Sequence, residues 1–244
     1  DQFQQKKYTL KIELLKFLRG FTLKSNNTIV VPSKHLMNFV KNLGFKGNLL
    51  QINNGTELTE SVQTNKDTYK FLIVSRLVRQ KNIDLVLKSL SVVRDKYFVD
   101  FHLNIVGEGP EYKNINNLIE KLNLSECVNL VGTKHGEELK DFYKNSNYFL
   151  QISTYEGMPH SVLEAMNYGL TVIISDFGGN SELLLNNKYG YLVDTFEVEG
   201  VADIIYQALN DTEEKFIEGK KLIESKFDIE KTIKNYSELI LNNA

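Results

Sequence analysis

Cysteine is nearly absent from this 244-residue chain, where Cys127 stands alone. One thiol excludes an intrachain disulfide and fits a reducing compartment, so a cytoplasmic location is expected. Cys127 precedes an apolar, strand-like run and reads as a buried, inert thiol. Long apolar runs are missing too. None approaches the ~20 residues a membrane span needs, and the opening stretch DQFQQKKYTLKIELLKFLRG lacks the uninterrupted apolar segment of a signal peptide. Signatures of metal and nucleophile chemistry are equally scarce. There is no HExxH, CxxC, GxSxG or GxxxxGK[ST]. His35, His102, His135 and His160 show no metal-binding spacing, and His102 reads as a structural strand residue. No Asp-x-Asp occurs, so the usual carboxylate pair for a nucleotide-bound divalent metal is not there.

What is present is an ordinary globular composition, 42% hydrophobic and 25% charged, long enough for one large or two small domains. The net charge of −2 hides an asymmetry: residues 1–50 hold nine Lys/Arg against Asp1 and Glu13, a balance of +7, leaving −9 for the remainder. Such a split points the N-terminal segment at an anionic partner, although a solvated helix face accounts for it equally well.

Leu10, Leu14, Phe17, Leu18 and Phe21 recur at helical spacing and predict a basic amphipathic helix over 5–24. TIVVPS (28–33) predicts a short strand, KHLMNFVKNLG a helix ending at Gly44, and NLLQINNG (48–55) another strand. The polar stretch ELTESVQTNKDTYK reads as a linker. From Tyr69 the rhythm is strict. Strands are predicted at 71–77, 101–107, 127–132, 147–153, 170–176 and 189–194. Helices are predicted between them at 82–93, from Gly109-Pro110 to Leu122, at 136–145, at 159–168 and at SELLL, and two more close the chain. Six strands alternating with helices predict an α/β fold with a Rossmann-like, doubly wound parallel sheet. FLIVS and TVIIS are apolar on both faces, as a sheet covered by helices requires. Ligands of such sheets sit outside the carboxyl ends of the strands, and candidates are weighed against that edge.

Four stretches fall there. GEGPEY (107–112) has the Gly-x-Gly of a dinucleotide site but Tyr112 where a third glycine would stand, and Pro110 fits a first helical position. A tight strand–helix turn beside a ligand cleft accounts for it better. SRLVRQKN (75–82) crowds Arg76, Arg79 and Lys81 at the end of a strand, where they could meet phosphate or form a plain surface cluster. YEGMPHSVLEAMNYG (155–169) puts Glu156 just before a Gly-x-Pro and Glu164 inside the helix that follows. With Pro159 as first helical residue, the amides of Gly157, Met158, His160 and Ser161 surround a helix N-terminus suited to an anion. On a helical wheel Glu164 falls on the polar side between His160 and Asn167, so an amphipathic helix closed by Gly169, with Glu164 in solvent, remains open. In SDFGGNSEL (175–183), Gly178-Gly179 permits close backbone approach, Asn180 or Ser181 can cap the next helix, and an ordinary loop turn is the alternative.

Together these stretches resemble a retaining glycosyltransferase of the GT-B fold, family 4 (group 1). The resemblance runs in family order over nearly the whole chain: TIVVPSKHLMNFVKNLG, NLLQINNGTEL with Glu57 at a frequent Asp, FLIVSRLVRQKNIDLVLKSL with Asn82 at the usual glycine, LNIVGEGP, NLVG, EGMPHSVLEAMNYGLTVIISDFGGNSEL and GYLV. The Glu-x7-Glu from Glu156 to Glu164 is its most specific piece. It implies that Arg76 and Lys81 contact the diphosphate of the donor and offset charge on the departing nucleotide. Glu156 would bond hydroxyls of the donor sugar, and the amides of Gly157, Met158, His160, Ser161 and Val162, around Pro159, would hold sugar and phosphate. Glu164 would accept from the ribose hydroxyls, and Gly132 and Thr133 would lie beside the base. No metal and no cofactor is implied. The substrate would be a UDP-, GDP- or ADP-sugar, and the acceptor a saccharide or lipid-linked saccharide in surface polysaccharide or glycolipid synthesis. No nucleic-acid partner is expected.

The resemblance also implies a division of the chain. Residues 1–60 correspond to the end of an N-terminal acceptor domain plus linker, and 61–244 to a C-terminal donor domain, so a fragment of a longer protein is expected. FDIEKTIKNYSELI (227–240) resembles the family helix that packs back on the N-terminal domain. The basic helix 5–24 is a candidate for peripheral contact with the inner face of a membrane. Two other readings stay open: a module that binds nucleotide sugar without turnover, and a sugar-nucleotide epimerase of similar cleft design.

Overall fold

The computed structural model describes residues 28–60, 69–211 and 215–241. The helix expected over 5–24 lies outside them, as does the middle of the expected linker. The chain divides into two compact units, Asp1–Asn53 and Asn54–Ala244.

The described part of the first unit is a single βαβ element. Strands β1 (Thr28–Val31) and β2 (Asn48–Gln51) pair in parallel, Thr28 opposite Asn48 through Val31 opposite Gln51. Helix α1 (Lys34–Asn42) joins them. The Ser33 hydroxyl accepts from the Leu36 amide at 3.3 Å and caps its start. Gly44, at φ +85°, closes its end as the sequence predicts.

The second unit is built on six parallel strands: β3 (Tyr69–Val74), β4 (Phe101–Val106), β5 (Val128–Gly132), β6 (Tyr148–Gln151), β7 (Thr171–Ser175) and β8 (Tyr191–Val193). Their order is β5-β4-β3-β6-β7-β8. Strand residues alternate between two cores because successive side chains leave opposite faces. Phe71, Ile73, Leu103, Ile105, Leu150 and Ile173 face helices α2 (Ile83–Tyr97), α3 (Tyr112–Lys121) and α7 (Val198–Asn210). Leu72, Phe149, Val172 and Ile174 face α4 (Gly136–Lys144), α5 (His160–Asn167), α6 (Asn180–Leu184) and α8 (Lys215–Lys226). The doubly wound parallel sheet expected from the sequence is therefore found, with both faces covered.

Several boundaries differ from the sequence reading. Pro110 and Pro159 precede their helices rather than opening them: α3 starts after Glu111, and Pro159 is the N-cap of α5, with ψ 130°. Asn180 and Ser181 do not cap α6. The Asn180 amide nitrogen donates to the Ser175 carbonyl at 2.8 Å, and the Ser181 hydroxyl donates to Asp176. Three helices rather than two follow β8, the last being α9 (Ile229–Leu241). Helix α5 does end at Gly169 (φ +80°), whose amide reaches Met166 while the Leu170 amide reaches Ala165, the paired bonds of a Schellman ending.

Residues 54–60 are laced into the second unit. The Thr56 amide donates to the Phe227 carbonyl and the Ile229 amide to Thr56. Lys220, 8% exposed, donates to the carbonyls of Thr59 at 2.6 Å and Asn167 at 2.7 Å. It thereby places a cation on the carbonyl end of α5. Among the described residues no helix is long and apolar enough to cross a membrane.

Candidate functional site

The strand order reverses between β3 and β6, the point at which an open α/β sheet forms its ligand crevice. β3 stays in register with β4 up to Val74, but with β6 only at Phe71–Tyr148 and Leu72–Phe149. Beyond those pairs the two chains part.

On one side the chain leaves β3 along the β4 loop. The Ser75 amide donates to Val106 and the Leu77 amide to Glu108. Glycine is required opposite: a Cβ on Gly107 would lie 2.0 Å from the Ser75 carbonyl oxygen, and one on Gly109 2.3 Å from that of Leu77. Arg79–Lys81 then forms a 3₁₀ turn, which the sequence reading did not foresee. It ends at Asn82 in the left-handed region, φ 45° and ψ 39°. That conformation explains the departure from the family pattern, since asparagine tolerates it best after glycine.

On the other side, the loop after β6 carries Glu156, only 8% exposed. Glu156 Oε1 accepts from Lys81 Nζ at 2.5 Å and from Gln151 Nε2 at 2.6 Å. Gln151 Oε1 in turn accepts from the Ser161 hydroxyl at 3.0 Å. Two more bonds tie the loops together. The Thr154 amide donates to the Gln80 carbonyl, and the Gly179 amide donates to the Gly157 carbonyl, each at 3.0 Å. Gly178, at φ +67°, presses on this loop so closely that a Cβ would sit 1.9 Å from the Glu156 carbonyl oxygen.

Helix α5 starts between the two glutamates. Among the described residues the amides of Gly157, Met158, His160 and Ser161 donate to no protein acceptor, leaving the N-terminus of α5 suited to an anion. The Met158 carbonyl is held by Asn54 Nδ2 at 2.7 Å. Glu164 is not in solvent, as the plain amphipathic reading would have it. It is half-buried and accepts at 2.7 Å from the hydroxyl of Tyr143, which is 1% exposed. Burial, then the charge of Glu164, pushes the Tyr143 phenol well above its ordinary value of 10, so it remains a donor. Asn167, assigned to the polar side by the wheel, is buried. It bonds the Glu57 carbonyl and the Thr59 amide, because residues 54–60 cover that side of the helix.

Arg76 is exposed beside the crevice, and its side chain makes no hydrogen bond or ion pair among the described residues. Gly132 ends β5 at φ +77° and leads into exposed Thr133. With Glu108, Gly109, Tyr112, Leu130 and Val131, Gly132 lines an open pocket of about 420 Å³. Val162 is buried under the helix start. Among the described residues the structure thus joins Lys81 directly to Glu156, sets Ser161 one residue beyond through Gln151, and leaves Arg76, Gly132 and Thr133 without a bond to that cluster. Sequence reasoning passed over Gln151, Tyr143 and Asn54. The available signal was an amide at the carboxyl end of the otherwise apolar strand NYFLQIS. Among the described residues no group of three or more His, Cys, Asp or Glu side chains is placed to hold a metal ion.

This architecture is that of the GT-B glycosyltransferases. The chain superposes on the sucrose-phosphate synthase of Thermosynechococcus elongatus with a TM-score of 0.85 at 22% identity, over 94% of this chain and 61% of that one. It superposes on a point mutant of S. aureus TarM, solved in complex with fondaparinux, alpha-GlcNAc-glycerol and UDP, with a TM-score of 0.80 at 23% identity, over 91% of this chain and 46% of that one. In sequence, it is 27% identical over 222 residues to an uncharacterized glycosyltransferase of Methanocaldococcus jannaschii, covering 88% of this chain and 60% of the relative. The profile of glycosyl transferases group 1 matches residues 55–223, and the chain belongs to that family. It spans about half the length of the curated relatives it matches.

Proposed function

We propose that this chain supplies the donor half of a retaining, metal-independent glycosyltransferase that moves a sugar from a nucleotide-diphosphate sugar to a saccharide or lipid-linked saccharide. The observation that carries this reading is the Lys81–Glu156 pair at the strand-order reversal, 2.5 Å apart, beside a helix N-terminus whose amides are uncommitted.

The chemistry follows from the charges. Transfer breaks the bond between the anomeric carbon and a phosphate oxygen and leaves negative charge on the diphosphate. Lys81 and Arg76 are fixed cations for that charge, and the free amides at the start of α5 add aligned dipoles. Glu156 takes hydroxyls of the sugar. Glu164, held by Tyr143, takes the ribose hydroxyls, and the Gly132–Thr133 turn lies beside the base. The acceptor oxygen attacks the face the nucleotide leaves, and its proton passes to the departing phosphate. Two carboxylates with such different partners do not form the acid–base pair of a glycosidase.

Calorimetry with UDP, GDP and ADP and their sugar conjugates tests this. Binding of the preferred nucleotide is expected to fall about 10- to 100-fold in Lys81→Ala and in Glu164→Ala, the cost of losing a charged hydrogen bond. Unchanged affinity in both variants refutes the assignment.

A further inference from the structure

Glu156 has two oxygens, and the described residues engage only one of them. Oε1 accepts from both Lys81 and Gln151, while Oε2 accepts from no described residue. The group that enforces this division is Gln151, whose side chain is 4% exposed in the last position of β6. A carboxylate can only accept, so the amide nitrogen of Gln151 must face Glu156. Its carbonyl oxygen must then face Ser161, whose hydroxyl proton is thereby committed inward, at 3.0 Å. The amide cannot flip without opposing its oxygen to a carboxylate and its nitrogen to a donated proton.

We propose that Gln151 is a positioning residue of the sugar subsite, fixing Glu156 Oε2 and the Ser161 hydroxyl oxygen as acceptors for donated sugar hydroxyls. The proposal rests on the donor-binding reading above. It also narrows the substrate class. With the Ser161 proton turned inward, both groups meet the ligand as acceptors, so the subsite suits a sugar offering free hydroxyls and not one carrying ethers or other acceptor-only substituents at those positions. Lys81 alone would not set this geometry, because a lysine ammonium turns freely and carries three donors.

The test separates sugar from nucleotide. Affinities of the chain for UDP and for UDP-N-acetylglucosamine are measured by calorimetry in the parent and in Gln151→Met, which keeps the volume and removes both hydrogen bonds. The parent is expected to bind the sugar conjugate more tightly than UDP. In Gln151→Met that advantage is expected to fall about tenfold while UDP affinity stays the same, which a general loss of structure would not produce. Gln151→Glu guards against a variant that does not fold. Its carboxylate repels Glu156 and abolishes the advantage at neutral pH, and the advantage returns as pH falls and the two facing carboxyls take up a shared proton that can again be donated to Glu156. An advantage retained in Gln151→Met, or not regained at low pH in Gln151→Glu, overturns the positioning role. A parent that binds UDP with no advantage from the sugar overturns it while leaving the nucleotide site standing. A parent that binds none of UDP, GDP, ADP and their sugar conjugates overturns the donor-binding reading and this proposal with it.

Discussion

At its amino edge the six-stranded sheet begins on rings. Tyr69, Phe101 and Tyr148 open β3, β4 and β6. Phe71 packs edge-on against Phe101 at 5.9 Å and tilted against Tyr148 at 5.3 Å. At its carboxyl edge the same strands end on Ser75, Gly107 and the Glu156 loop. Every buried side-chain polar atom without a partner among the described residues lies on that side: Ser75 Oγ, Asn82 Nδ2, Ser153 Oγ and Asn180 Oδ1. One edge is built on packed rings. The other holds unpaired polar groups, a buried carboxylate and glycines jammed against carbonyls, features that cost stability and that a fold retains where chemistry is done.

Mutations should separate the two edges. Phe71→Ala at the packed edge is expected to cost about 3–5 kcal/mol, read by urea unfolding, with little change in nucleotide affinity of the folded fraction. Gly178→Ala at the other edge is expected to cost about 2–3 kcal/mol, because a Cβ strains a left-handed backbone and collides with the Glu156 carbonyl. Unlike Phe71→Ala, it should abolish sugar-dependent binding. A Gly178→Ala protein that binds like the parent would erase the contrast.

The smallest effect is one of pH. Burial, followed by the charge of Tyr69, pushes Tyr148 up to about 12, and Tyr143 is raised in the same direction. The folded state keeps protons that the unfolded chain releases near 10. Stability from these phenols is therefore complete below about pH 10 and is lost as pH rises from there toward 12. Tyrosinate absorbance should show these two phenols ionising only as the chain unfolds. Two phenols titrating near 10 in the folded protein would contradict this.

The sheet was legible because FLIVS and TVIIS, apolar on both faces, admit few places other than a covered parallel sheet. The ends of α1 and α5 were legible because Gly44 and Gly169 occupy left-handed positions. The site was legible in its residue types and less so in its contacts. Nothing in the spacing of SRLVRQKN announces a 3₁₀ turn, because that turn depends on Asn82 adopting a left-handed backbone. Helical-wheel reasoning put Asn167 on the polar side of α5, and what buries it is residues 54–60, more than a hundred positions earlier. Gln151 and Tyr143 were silent for a similar reason: each acquires its role from one partner brought close by folding.

Lys220 carries a consequence of another kind. Its ammonium is spent on the carbonyls of Thr59 and Asn167, and burial lowers its proton affinity. Among the described lysines Lys220 alone is buried. An amine-reactive label should reach it only when α8 lifts from the end of α5, so its acylation counts openings of that packing.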